Sequence, residues 1–178
     1  GDEVSITATP APDAQAAAEY YPAGSWFSLL QAPSADEFPG TGPEGNGISP
    51  AIEHQADWLR RIKSGNCMAC HQLGSMGTRR IPESLAHLDA REAWERRVLS
   101  GQAGGSMSRG LDQLGRGRAL DVLADWTDRI AAGEVPEAPP RPQGLERNVV
   151  ITQWDWADPT DYLHDVVSTD RRDPTVNA

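Results

Sequence analysis

The chemistry of this chain is concentrated in five consecutive residues, Cys67-Met68-Ala69-Cys70-His71, which contain both of its cysteines. Two thiols separated by two residues, with an imidazole next in line, suit the attachment of a porphyrin. Each thiol would take one vinyl group, and the histidine would face the iron from below the ring. C-x-x-C-H is the spacing of c-type haem attachment. Other uses of the same atoms stay open at this point. A redox-active C-x-x-C belongs beside a β-α-β pattern, whereas a helical stretch precedes Cys67 and no flanking parallel strands are visible. A zinc site needs four ligands, and His54, His87 and His164 form no second knuckle. A pattern this short also arises by chance.

The elements around the motif must position it. Ser49-Pro50 reads as an N-cap followed by proline at the first helical position, where its missing N–H costs nothing. Ile52, Ala56, Leu59 and Ile62 or Lys63 then recur at helical spacing, with Trp58 beside them, until Gly65-Asn66 ends the helix at the motif. Residues 74–82 read as loop. Asp89 caps a second helix, with Glu92 as its reciprocal partner and Ala90, Trp94 and Val98 inward. Residues 101–110 form a glycine-rich loop around Met107. A third helix runs from about Gly117 to Ala132, with Ala119, Leu123, Trp126 and Ile130 on one face, until Gly133 and Pro136 stop it.

Helix, C-x-x-C-H, proline-bearing loop, helix, methionine in a glycine-rich segment and a last helix with an inward aromatic: over residues 49–133 this order resembles a class I, mitochondrial-type monohaem cytochrome c domain. The resemblance implies a mainly α fold, a cytochrome c-like helical domain around one covalent haem c, in which the first and last helices cross beside Trp126. It implies that Cys67 and Cys70 hold the haem and that His71 is the proximal iron ligand. Pro82, eleven residues after His71, would fix the imidazole N–H through its own or the preceding carbonyl. Met107 would be the distal ligand, with Met76, the other histidines or an open sixth position as alternatives. Arg79, Arg80 and the Trp94 indole N–H are candidates for the haem propionates.

Residues 1–48 read as an irregular N-terminal extension. Its aromatics, Tyr20, Tyr21, Trp26 and Phe27, are expected to lie across the surface of the following domain. Residues 134–178 begin with a proline-rich, extended linker over 134–142 and contain a strand-like run over 148–156. The flanks, with Val4-Ser5-Ile6-Thr7-Ala8, Tyr20-Tyr21-Pro22 and Trp154-Asp155-Trp156, resemble large bacterial secreted proteins. Those place a cytochrome c segment between a carboxypeptidase-regulatory-like domain and a streptogramin-lyase-like β-propeller. Both ends accordingly read as cuts in a longer polypeptide.

A net charge of −10 argues against nucleic-acid binding, which needs a basic face. No stretch reaches the ~18 apolar residues of a membrane span. Neither a Ser/His/Asp arrangement nor a carboxylate pair stands out, so no catalytic residue is assigned. The expected role is a low-spin His/Met electron carrier serving a partner oxidoreductase protein or domain. The alternative is a haem enzyme or small-ligand sensor with an open or displaceable sixth site. As the resemblance implies, haem attachment in bacteria happens outside the cytoplasm, so the expected location is periplasmic or extracellular.

Overall fold

The computed structural model describes residues 7, 9–65, 67, 68, 72–101 and 103–149; over these the chain is mainly helical, without a β-strand. The α-helices are α1 (Ala14–Ala18), α2 (Ala23–Phe27), α3 (Gln55–Arg60), α4 (Met76–Arg79), α5 (Ala90–Val98), α6 (Gly104–Leu114) and α7 (Arg116–Ala131). A π-helical turn, Arg61–Gly65, continues α3 towards Cys67.

The longest helix, α7, has apolar residues on more than one side, so it is built to be enclosed. Ala119, Leu120, Val122, Leu123 and Trp126 are all buried along it. It packs mainly against α5 and α6, and α6 lies in turn against the π-helical turn. The implied crossing partners, the first and last helices of the cytochrome-like segment, share the core through Trp58, Ile62 and Trp126. The main backbone neighbours of α7 are nevertheless α5 and α6.

Asp89 caps α5 as its sequence predicts, accepting the Glu92 N–H at 2.8 Å. The start of α3 differs from expectation. The Ser49 N–H donates to the Leu114 carbonyl at 3.2 Å, and the Gly40 N–H donates to the Ile52 carbonyl at 2.9 Å. These long-range bonds hold residues 48–52 as a turn, with Ile48 and Ile52 fully buried, and helix begins only at Gln55. The buried stripe on α3 is consequently Trp58 and, one turn on, Ile62, while Ala56 is exposed.

The N-terminal extension is more regular than its composition suggests. The Asp13 carboxylate caps α1 through the Ala16 N–H at 2.8 Å. Ser34 and Glu37 form a capping box around the 3-10 turn Ala35–Glu37. Trp26 is buried, and Phe27, Leu29, Leu30 and Phe38 pack on the same core as α7, although Tyr20 faces solvent. Packing therefore runs straight across the expected boundary at residues 48 and 49. Residues 134–143 form no regular secondary structure before a 3-10 turn at Gly144–Asn148. The strand-like runs at 4–8 and 148–156 fall almost wholly outside the described residues. No described helix is long and apolar enough to cross a membrane.

Candidate haem site

Cys67 and Met68 follow directly from the turn that extends α3, and the Met68 N–H donates to the Ile62 carbonyl at 3.4 Å. Both side chains are half-buried against the central apolar cluster. Cys70 and His71 lie outside the described residues.

Met107 is also half-buried against that cluster, but it sits on α6 and not in a loop. Its N–H donates to the Ala103 carbonyl at 2.9 Å. Each glycine in the helix costs about 1 kcal/mol relative to alanine, which is why the segment reads as loop. Packing outweighs that cost. A Cβ on Gly104 would stand 2.8 Å from the Leu99 carbonyl oxygen, so the start of α6 approaches the end of α5 as only glycine permits. Arg116 secures the same helix, donating to Ser108 Oγ at 2.9 Å and to Glu95 at 2.6 Å. The Glu95 hydrogen bond is the largest cause holding the Arg116 guanidinium above its ordinary value, with Asp112 adding to it and burial opposing both.

The segment after His71 contains α4 where loop was expected, and its arginines have protein partners. Arg79 is 5 % exposed. It donates to the Gly74 carbonyl at 2.9 Å and to Glu19 at 2.8 Å, and its guanidinium lies 4.2 Å from the Trp26 ring centre. Arg80 reaches the other Glu19 oxygen at 2.9 Å. The two arginines expected at propionates thus converge on one glutamate of the N-terminal extension. Trp94 gives its indole N–H to Thr127 Oγ1 at 3.2 Å, a hydroxyl that bonds back to its own helix. Pro82 is half-buried, and its carbonyl accepts the Leu85 N–H at 2.9 Å, starting a 3-10 turn. His54 and His87 are exposed.

Two residues that frame this segment were not legible as such. Arg97 stacks on Trp94 and donates to the carbonyls of Gly77, Thr78 and Arg80. Its spacing from Trp94, one helical turn, is the signal that was available. Glu19 carries no signal, since it acts 60 residues along the chain.

Of the donors a c-type haem would use, the described ones are the Cys67 thiol and the Met107 thioether, and both rest on one apolar core. Trp58 is fully buried on the element that leads to Cys67, and its indole N–H has no hydrogen-bond partner among the described residues. An unmet buried donor costs about 1–3 kcal/mol. Among the described residues no three His, Cys, Asp or Glu side chains gather to hold a metal ion by themselves. Comparison of the chain with family models, with curated proteins and with solved structures finds no match.

Proposed function

We propose that this chain is an electron-transfer c-type cytochrome with one covalently attached haem, which Cys67 and Cys70 would hold and whose iron His71 and Met107 would ligate. The observation that supports this most is the placement of Cys67 and Met107. Both are half-buried against one apolar cluster, and α6, which carries Met107, lies on the turn leading to the C-x-x-C-H segment.

When bound, the haem supplies one-electron chemistry at iron; the protein's part is to bind, orient and tune. Met107 contributes a thioether, which gives a higher potential than a second imidazole would. Arg116, through Ser108 and Glu95, fixes the helix that presents it. The buried side chains Trp58, Ile62, Leu111 and Leu114 keep water from that side of the site. Electron transfer asks for no acid, base or nucleophile, in keeping with the absence of any such assignment from the sequence.

The reading extends to a redox partner protein or domain, with a β-propeller of the same polypeptide as one form, and to a periplasmic or extracellular setting. The test is expression with a haem-attachment system, followed by mass measurement and absorption spectra. The expected result is one haem added, a low-spin spectrum, and a weak red charge-transfer band that disappears in Met107→Ala. A high-spin spectrum that shifts at once with cyanide would instead place an open sixth site and an enzymatic or sensory role first. No added mass would overturn the reading.

A further inference from the structure

We propose that the N-terminal segment spanning α1 and α2 braces the residues that follow the C-x-x-C-H motif, and that Arg79 is the positioning residue through which it acts on the haem attachment. The proposal rests on the haem reading above and concerns which residues fix the segment directly following His71.

Gly74 lies three residues after His71 in the sequence. A Cβ there would fall 1.9 Å from the Ala23 carbonyl oxygen, so α2 meets this backbone with no room for a side chain. The Gly74 N–H donates to Thr78 Oγ1 at 2.9 Å, and the Gly74 carbonyl accepts from Arg79 at 2.9 Å. Both polar groups of one peptide position are thereby spent on α4 side chains. Arg79 carries the restraint outward, to the Glu19 carboxylate beside α1 and to the face of Trp26 on α2. Trp26 is itself fixed, donating to the Ala18 carbonyl at 3.1 Å. From α5, Arg97 holds the carbonyls at the far end of the segment.

A buried guanidinium is tolerated only when paired and hydrogen-bonded. Arg79 serves two separate acceptors with two nitrogens, a fork that the single ammonium of lysine does not reproduce. Groups behind a metal ligand orient it, and their loss typically changes affinity or activity 10–100-fold. With less support behind it, His71 would be less firmly oriented, and an added ligand such as cyanide would reach the iron faster.

The test compares wild type, Glu19→Gln and Arg79→Lys as full-length, haem-loaded proteins, with Asp121→Asn as a control that breaks the exposed Arg91 pair. Haem content is read by mass in every sample. The expected result is unchanged haem content, an added or shifted low-spin species in the ferric electron paramagnetic resonance spectrum, and cyanide ligation about tenfold faster. The control matches wild type. A lowered melting temperature with wild-type resonance spectrum and cyanide rate would make the brace purely structural and overturn the proposal. Wild type without haem would overturn the underlying reading, which the mass measurement reports separately. If Arg79→Lys does not fold, Glu19→Gln alone decides, because that side chain is one-third exposed.

Discussion

Trp126 donates its indole N–H to the backbone carbonyl of Trp26 at 3.0 Å, joining residues 100 positions apart. Both rings are buried, and Phe27 meets Trp126 edge-on at 6.5 Å between ring centres. The last core helix is therefore bonded to the N-terminal segment. Trp126→Phe keeps much of the apolar surface but opens space in the core and removes the indole donor, leaving the Trp26 carbonyl with only the longer bond from the Leu29 N–H at 3.3 Å. The expected cost is about 1–3 kcal/mol, read as a lower denaturation midpoint with an unchanged slope.

This contact also marks what sequence reading could and could not reach. The faces of α5 and α7 were legible because their apolar residues repeat at helical spacing, and Asp89 announced its cap. The start of α3 was not, because Ser49-Pro50 has the right chemistry for a cap but its backbone is claimed by Leu114. Met107 was singled out as an iron ligand in a loop, and the structure sets it half-buried against the core on a helix; that helix was hidden by its glycines, one of which, Gly104, allows the close approach to Leu99. Arg79 and Arg80 were flagged for their charge. Their partner, Glu19, lies too far along the chain for any local pattern to connect them.

Gly74→Ala should be among the most damaging single-methyl changes in the molecule. Gly74 has φ of 97°, a left-handed backbone, and the new Cβ would collide with the Ala23 carbonyl. Strained backbone and overpacking together predict a loss of about 2–4 kcal/mol. Thermal unfolding monitored by circular dichroism checks this, and a melting temperature equal to wild type would show that α2 can move away without cost.

Glu37 gives the fold an acid-sensitive tie. Its carboxylate accepts the Ser34 N–H at 2.8 Å and is bridged by Arg118 at 2.6 Å. The Ser34 hydrogen bond is the largest cause lowering its pKa below the ordinary 4.5, and Arg118 adds to it. A depressed folded value means that the stabilisation is complete above the unfolded value and is lost as pH falls through the folded one. Glu37→Gln should thus be less stable than wild type at pH 7, by on the order of 1 kcal/mol. The gap should shrink as pH drops below about 4.5. Urea denaturation of both proteins between pH 7 and pH 3 measures it, and a gap independent of pH would exclude the carboxylate as its source.

Removing both attachment points tests how far the fold depends on its proposed haem. Trp58 is buried with an N–H unmet among the described residues, and Cys67, Met68, Ile81 and Met107 lean on the core while remaining half-exposed. These are the losses expected where a large apolar group completes the packing, since a group that binds only the native state adds its binding energy to folding. Cys67→Ala combined with Cys70→Ala should therefore leave a largely unfolded chain. Its far-ultraviolet circular dichroism should lose most of its helical signal, and cooperative melting should vanish. The segment best able to resist is the α5–α7 pair with α2, because Trp94 donates to Thr127 and Trp126 to the Trp26 carbonyl without any cofactor. A native-like spectrum with a sharp transition in the double variant would mean that these contacts suffice. Haem would then be a passenger on a protein-built core.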